Sequence, residues 1–207
     1  MIDFSTDLRY ARKQMFYLVL FLICLFLSLG VGVLAGLSDI RGMVIPNIYS
    51  VVIGAAFLIA FAGLHWGGKT HIFSSFYSHL IAAGLMFVVT VILFATRTIG
   101  AADSKLGTVF ALWAGLKGFA PFLLFMTLGG GILAVAALIL QKKKPFSAPK
   151  KGSWVARVQG GESKVPYGVA IVFGAVMAFY QIGYFDLSGL SFFFDNSFND
   201  SFNSGGS

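Results

Sequence analysis

Charged residues and cysteine are scarce in this chain. Only 11% of its 207 residues are charged and only 8 are acidic, whereas about 25% of the residues in an ordinary soluble domain carry charge. The single cysteine, Cys24, excludes an intramolecular disulfide and any zinc site built from clustered cysteines. Both shortages argue against a soluble enzyme and against a disulfide-stabilised domain.

Apolar residues make up most of the chain instead. They account for 57% of it, and the mean hydropathy is +0.85. A bilayer core about 30 Å thick needs ~20 apolar residues per helix. We interpret six stretches as spans: 15–37, 45–64, 79–96, 99–117, 120–140 and 166–185. The pattern predicts an all-α polytopic membrane protein with about six transmembrane helices, comprising a membrane domain over 1–185 and a flexible polar tail over 186–207.

The fourth predicted span has the fewest uncharged residues. Only eleven lie between Lys105 and Lys117, too few to cross a bilayer alone. The span can cross only if its helix begins near Ile99 and carries Asp103 and Lys105 in its first turns. We therefore expect Asp103 at or just below the membrane surface.

Seven basic residues of the chain lie in the loop between the fifth and sixth spans. They are Lys142, Lys143, Lys144, Lys150, Lys151, Arg157 and Lys164. Such a loop in a membrane protein ordinarily stays in the cytoplasm. The run lacks the aromatic interleaving of a nucleic-acid-binding surface, so we expect no nucleic-acid partner. We expect the three lysines at 142–144 to bind anionic lipid headgroups, each contributing about 1 kcal/mol.

Three histidines, His65, His71 and His79, lie in or beside the second predicted loop. Six spans place this loop on the side opposite Asp39 and Asp103. The spacings of six and eight residues do not share a helix face, and no carboxylate lies nearby. We therefore expect solvated histidines at the membrane interface, with no metal site and no cofactor.

Asp39 and Asp103 each lie at the end of a predicted span, and six spans place both on the side of the basic loop. An ionisable group at membrane depth costs at least ~2.5–3.5 kcal/mol and is a functional hypothesis by default. Simpler interpretations stay open for each one alone. Asp39 could be a solvated loop residue paired with Arg41, and Asp103 could pair with Lys105 or cap the fourth helix.

Taken together, the two aspartates permit a specific chemistry. Packing of the first and fourth spans would bring the carboxyl groups side by side. A close pair cannot ionise both members cheaply, so the two share a proton near neutral pH. One carboxylate can then act as general base on a water while the protonated one polarises a peptide carbonyl. The spacing allows this aspartic-protease arrangement without proving it.

The residues around the aspartates carry a family resemblance. "DIRGMVIPN" (39–47) resembles the first signature of the bacterial type IV prepilin peptidases, and "GAADSKL" (100–106) resembles their second signature, GxGDxKL. "VPYGVAI" (165–171), which opens the last span, is similar to a third family feature. The three segments follow the family's order over about residues 15–185. The likeness is strongest to the short TadV/CpaA-type branch, which serves Flp-pilus systems.

The resemblance implies a membrane-embedded aspartic endopeptidase of the GxGD class. Such enzymes cleave the leader peptide from prepilins at the cytoplasmic face of the bacterial inner membrane, during pilus biogenesis. Asp39 and Asp103 would be the catalytic pair. The residues implied to shape the site around them are Pro46, Asn47, Gly100, Ala102, Lys105, Pro166, Tyr167 and Gly168.

The chain departs from the family pattern in two ways. Ala102 replaces the second glycine of GxGD, and alanine disfavours a backbone with φ > 0. This keeps open a catalytically inactive homologue that binds prepilin. The chain also lacks the Cys-x-x-Cys insert of longer, methylating members, so the resemblance implies a peptidase without N-methylation.

A transporter is the competing class. A small proton-coupled transporter could use membrane carboxylates as a proton relay. Its carboxylates would lie near the centres of spans, whereas Asp39 and Asp103 lie at predicted span ends.

Overall fold

The computed structural model describes residues 4–68, 72–96 and 99–186. Its helices are α1 (Phe4–Gly42), α2 (Asn47–Trp66), α3 (Phe76–Ala95), α4 (Ala101–Lys143), α5 (Trp154–Gln159) and α6 (Tyr167–Gln181). No strand occurs in these ranges, and the predicted all-α class is confirmed. The predicted tail at 186–207 lies outside the described residues, apart from Asp186.

Four of these helices are long and apolar enough to cross a membrane. They are α1 from Arg12 onward, α2, α3 and α4, and α6 is a shorter apolar helix. Their outward faces carry many exposed Leu, Ile, Val and Phe side chains, as expected of helices surrounded by lipid. The prediction of a polytopic membrane protein is therefore confirmed.

Helix α4 covers both the fourth and the fifth predicted spans. It begins at Ala101, close to the predicted start, and its helical backbone is interrupted at Gly115, where φ is 60° and ψ is −177°. A φ in this region favours glycine, since any Cβ would clash with the backbone. Gly115 divides α4 into a first arm (101–114) and a second arm (116–143).

The two arms run in opposite directions along α6. In the first arm, the ring of Phe110 lies 6.2 Å from that of Phe179, near the end of α6. In the second arm, Gly118 lies against Ile182, beyond the end of α6. Further on, Gly130 lies against Tyr167, the first residue of α6. The chain therefore turns back at Gly115, within the fourth predicted span, and the two arms cover most of the fourth and fifth predicted spans.

An aromatic core fills the end of the molecule near this reversal. Its fully or nearly fully buried rings belong to Phe21, Phe57, Phe73, Trp113, Phe179 and Tyr184. Trp113 donates from Nε1 to the carbonyl of Ile53, and Tyr184 donates its hydroxyl proton to the carbonyl of Trp113. These bonds satisfy the polar atoms of the large rings and join α2 and α4 to the segment after α6.

His79 belongs to this core, and its predicted solvent exposure is wrong. Its side chain is 1% exposed, and its Nδ1 donates to the carbonyl of Leu112 at 2.7 Å. The imidazole lies directly beneath the reversal, because a Cβ on Gly115 would be 2.9 Å from its Cε1. His65 is exposed as predicted, and His71 lies outside the described residues.

Candidate active site

Asp39 lies in the last turn of α1 and is almost fully buried. Its side chain is 5% exposed. Its Oδ2 accepts a hydrogen bond of 2.8 Å from the backbone N–H of Gly168, in the first turn of α6. The third sequence segment thus contributes a main-chain donor to the first aspartate. This bond fixes one carboxylate oxygen and leaves the other for chemistry.

Close packing at Gly168 makes that bond possible. A Cβ on Gly168 would lie 2.9 Å from Cδ1 of Ile45 and 3.0 Å from Oδ2 of Asp39. One helical turn earlier in α1, a Cβ on Gly36 would be 3.5 Å from Cα of Val169. Glycines on both helices therefore let the backbones of α1 and α6 approach each other at the level of the carboxylate.

Asp103 lies in the first turn of α4. Its Oδ2 accepts a hydrogen bond of 3.0 Å from the backbone N–H of Gly100, the N-cap residue. Asp103 therefore does cap this helix, where a carboxylate is favourable. Capping uses only one oxygen, because Oδ1 is buried and has no hydrogen-bond partner. The capping and catalytic interpretations are compatible.

The two carboxyl groups lie at the same end of the molecule, hereafter the aspartate end. They are close enough for the charge of Asp39 to act on Asp103. Among the described residues, neither carboxylate forms an ion pair with a lysine or an arginine. The local pairings with Arg41 and Lys105 that the sequence left open are absent from the described residues. Within the described ranges, the arrangement is a pair of acids without a basic counter-ion.

Lys105 has a different partner. Its Nζ donates to Oδ1 of Asn47 at 3.0 Å, joining the first arm of α4 to the first residue of α2. Pro46 precedes Asn47 as the N-cap of α2, with φ −59° and an exposed side chain. The Pro–Asn part of the first motif therefore starts α2 and ties it to the second motif. In the described structure, neither Pro46 nor Asn47 is hydrogen-bonded to Asp39 or Asp103.

The loop that follows Asp39 is tied back to α1. The N–H of Met43 donates to the carbonyl of Asp39 at 2.8 Å, and Oγ of Ser38 donates to the carbonyl of Val44 at 2.7 Å. Met43 takes up a φ of 56°, which is uncommon for a residue other than glycine. These bonds close the end of α1 tightly, beside the buried carboxylate.

Ala102 occupies ordinary helical backbone. Among the described residues, only Met43 and Lys144 combine a side chain with a positive φ. Ala102 is half-buried and packs against the main hydrophobic core. The backbone strain expected from alanine in place of the motif's second glycine is therefore absent.

One polar pair beside the site was not predicted from the sequence. Ser104, directly after Asp103, lies 2.7 Å from the hydroxyl of Thr90 on α3, measured between the two side-chain oxygens. Thr90 in turn donates to the carbonyl of Met86. Both hydroxyls are buried in the helix interface. A lone threonine within the apolar run of α3 was the available signal, but its partner could not be identified without the packing.

The remaining predicted residues lie at varying distances from the carboxylates. Pro166 is buried as the N-cap of α6. Tyr167 points toward the second arm of α4, where its hydroxyl would be 3.1 Å from a Cβ on Gly130. Lys142, Lys143 and Lys144 are exposed at the end of that arm. Of the described residues in the third segment, Gly168 is the one that forms a hydrogen bond with an aspartate.

Comparison with known proteins agrees with this geometry. A family model described as the type IV leader peptidase family matches residues 16–135, more than half of the chain and inclusive of both aspartates. No curated protein and no solved structure matches the chain significantly. With its four long apolar helices and its paired acids, the chain belongs to the type IV leader peptidase family.

Proposed function

We propose that this membrane protease is an aspartic endopeptidase of the short TadV/CpaA-type branch, which removes the leader peptide of Flp-type or other type IV pilin-like prepilins. One observation carries the proposal. Two interacting carboxylates lie at one end of the molecule, each with one oxygen held by a backbone N–H, and neither has a basic counter-ion among the residues that the structure describes. Family membership indicates protease activity in general.

The arrangement supports acid–base hydrolysis by a proton-sharing pair. The ionised carboxylate takes a proton from a water, whose oxygen attacks the carbonyl carbon of the scissile peptide bond. The protonated carboxyl group gives its proton to the carbonyl oxygen, forming a gem-diol. The C–N bond then breaks as the leaving nitrogen receives a proton from the pair. Asp39 and Asp103 exchange roles as base and acid during this sequence.

The fixed oxygens explain why the pair is suited to this work. Gly168 and Gly100 hold one oxygen of each carboxyl group through main-chain donors, so neither acid needs to reorient when charge moves. The unpartnered Oδ1 of Asp103 is the natural position for the shared proton.

The positions of the acids favour a peptidase over a transporter. Asp39 is in the last turn of α1, and Asp103 is in the first turn of α4, so neither lies at the centre of a helix. An inactive homologue was considered because alanine at position 102 would disfavour a backbone with positive φ. Ala102 has a helical backbone, so this reason for inactivity does not apply.

The proposed orientation places the aspartate end at the cytoplasmic face of a bacterial inner membrane. The second arm of α4 ends in three exposed lysines at this same end, and the basic loop follows it. Positive charge of this kind favours the cytoplasmic side. In the family, the substrate's basic leader reaches that face while its apolar helix stays in the bilayer. We propose that this chain cleaves without N-methylation.

Cleavage of a co-expressed Flp-type prepilin in membranes tests the proposal. We expect the wild-type protein to shorten the prepilin, and Asp39→Asn and Asp103→Asn each to abolish cleavage at unchanged protein level. Asp186→Asn, which changes an exposed acid after α6, is the matched control and should cleave normally. The mass of the mature pilin should show an unmethylated N-terminus. Cleavage that survives either change at 39 or 103 would refute the paired mechanism.

A further inference from the structure

The loop between α4 and α6 folds back onto the aspartate end. Its short helix α5 contacts both the second arm of α4 and α1. Trp154 and Val158 of α5 form a small hydrophobic cluster with Ala137, against which Met43 and Val165 pack. Met43 is bonded to the carbonyl of Asp39, and Val165 lies three residues before Gly168. Helix α5 therefore lies against both segments that hold Asp39.

Hydrogen bonds fix α5 in this place. Oγ of Ser153 accepts from the N–H of Ala156 and caps the helix. Nε1 of Trp154 donates to the carbonyl of Lys164 at 2.9 Å. At the other end of α5, Nε2 of Gln141 donates to the carbonyl of Gly161 at 3.2 Å. Each of these side chains has a structural partner.

Gln159, the last residue of α5, has no hydrogen-bond partner for its side chain. Its side chain is 8% exposed, and neither Oε1 nor Nε2 has a hydrogen-bond partner. Within the described ranges, it is the only side chain with two buried polar atoms unpaired. Leaving such groups unpaired is costly, so an unpaired buried amide in a native structure calls for an explanation, of which binding a further polar group is one.

We propose that Gln159 binds the backbone of the substrate peptide beside the scissile bond. The proposal rests on the proposed peptidase function. A primary amide carries one carbonyl acceptor and two N–H donors, which complement the N–H and C=O of one peptide group. Because α5 packs beside Met43 and Val165, which flank the segments that hold Asp39, we expect a peptide that reaches the carboxylates from the aspartate end to pass this helix. Gln159 would then gain the two partners that it lacks in the free protein.

The change Gln159→Met separates this role from a structural one. Methionine has nearly the same length and no strong polar group, so the unpaired atoms disappear while the packing is kept. We expect an unchanged or higher melting temperature. Cleavage of a synthetic prepilin peptide should show a KM about tenfold higher with a much smaller change in kcat, because two backbone hydrogen bonds are lost. The matched control, Gln141→Met, should lower the melting temperature and leave KM unchanged.

A binding measurement separates failure of this inference from failure of the proposed function. In an Asp39→Asn background, the same prepilin peptide should bind about tenfold more weakly when Gln159→Met is added. N-methylation of the peptide backbone next to the scissile bond should weaken binding to Gln159 protein more than binding to the methionine variant. Equal peptide affinity and equal KM with and without Gln159 would overturn the inference, even if the wild type cleaves. If the wild type binds the peptide through Gln159 without cleaving it, the inference stands and the peptidase proposal falls.

Discussion

Gly168 approaches Asp39 more closely than a residue with a side chain could. We expect Gly168→Ala to displace the Asp39 carboxylate, since its Cβ would lie 3.0 Å from Oδ2. Misplacing a reacting group by about 1 Å can reduce the rate on the order of 100-fold. The measurement is kcat/KM for prepilin cleavage. Gly131→Ala is the control, because a Cβ there meets nothing within 4 Å. Equal activity of the two variants would show that the Gly168 contact is unimportant.

At Ala102, by contrast with Gly168, we expect a substitution to change activity very little. Restoring the motif glycine by Ala102→Gly should change cleavage less than about twofold, because the backbone at this position is already helical. Glycine within a helix should lower the free energy of unfolding by roughly 0.5–1 kcal/mol. Cleavage rate and melting temperature, measured on the same preparation, check both parts. A large gain in activity would mean that the motif needs a backbone that alanine prevents.

Single residues of the site could be predicted to different degrees. Asp39 and Asp103 stood out because carboxylates are rare in an apolar chain. The motifs around them indicated that the two act as a pair. The donor role of Gly168 could not be predicted, since it depends on the contact between α1 and α6 across 129 residues. The Thr90–Ser104 bond and the unpaired amide of Gln159 likewise depend on packing that no local pattern encodes.

At the scale of the helices, the reversal inside α4 determines where the first arm places Asp103. Gly115→Ala should destabilise the protein strongly, because alanine would need a φ of 60° and its Cβ would lie 2.9 Å from Cε1 of His79. We expect much less folded protein in membranes and a melting temperature several degrees lower. Gly30→Ala, where a Cβ meets nothing within 4 Å, serves as the control. A Gly115→Ala protein of normal stability would contradict the described reversal.

Hydropathy predicted the positions of the helices better than the positions of the turns that connect them. The second and third spans and the start of α4 lie close to the observed helices, because lipid-facing helices need long apolar runs. The first span was predicted too short, since α1 extends to Gly42 and carries Asp39 within the helix. Lys117 indicated a connection at 118–119, but the reversal occurs earlier, at Gly115, because the backbone conformation there requires glycine. His79 was wrongly predicted to be solvated, since its spacing from the other histidines contained no information about the rings of Phe57, Phe61 and Phe73 that lie around it.

At the scale of the whole molecule, the exposed lysines at the end of α4 bear on how the protein lies in its membrane. Replacing Lys142, Lys143 and Lys144 with glutamine should weaken binding to vesicles that contain anionic lipid, by about fivefold per lysine near the surface. Binding to neutral vesicles should not change. Cosedimentation with the two kinds of vesicle makes the comparison. Unchanged binding to anionic vesicles would contradict the proposed contact with lipid headgroups.

The same charge distribution leads to the proposed topology. One end of the molecule holds the basic loop, the end of α1 and the start of α4. The side of the membrane that holds the basic loop therefore also holds the two aspartates. The division into a membrane domain over 1–185 and a polar tail remains a prediction, because the tail lies outside the described residues.

The pH dependence of prepilin cleavage tests the central claim most directly, namely that Asp39 and Asp103 act as one proton-sharing pair. With purified protein in lipid, kcat/KM measured from about pH 4 to 9 should follow a bell-shaped curve with two macroscopic pKa values that belong to the pair. The falling limb at high pH reports loss of the shared proton, and the falling limb at low pH reports protonation of the base. A flat profile over this range would contradict shared-proton catalysis by the two aspartates.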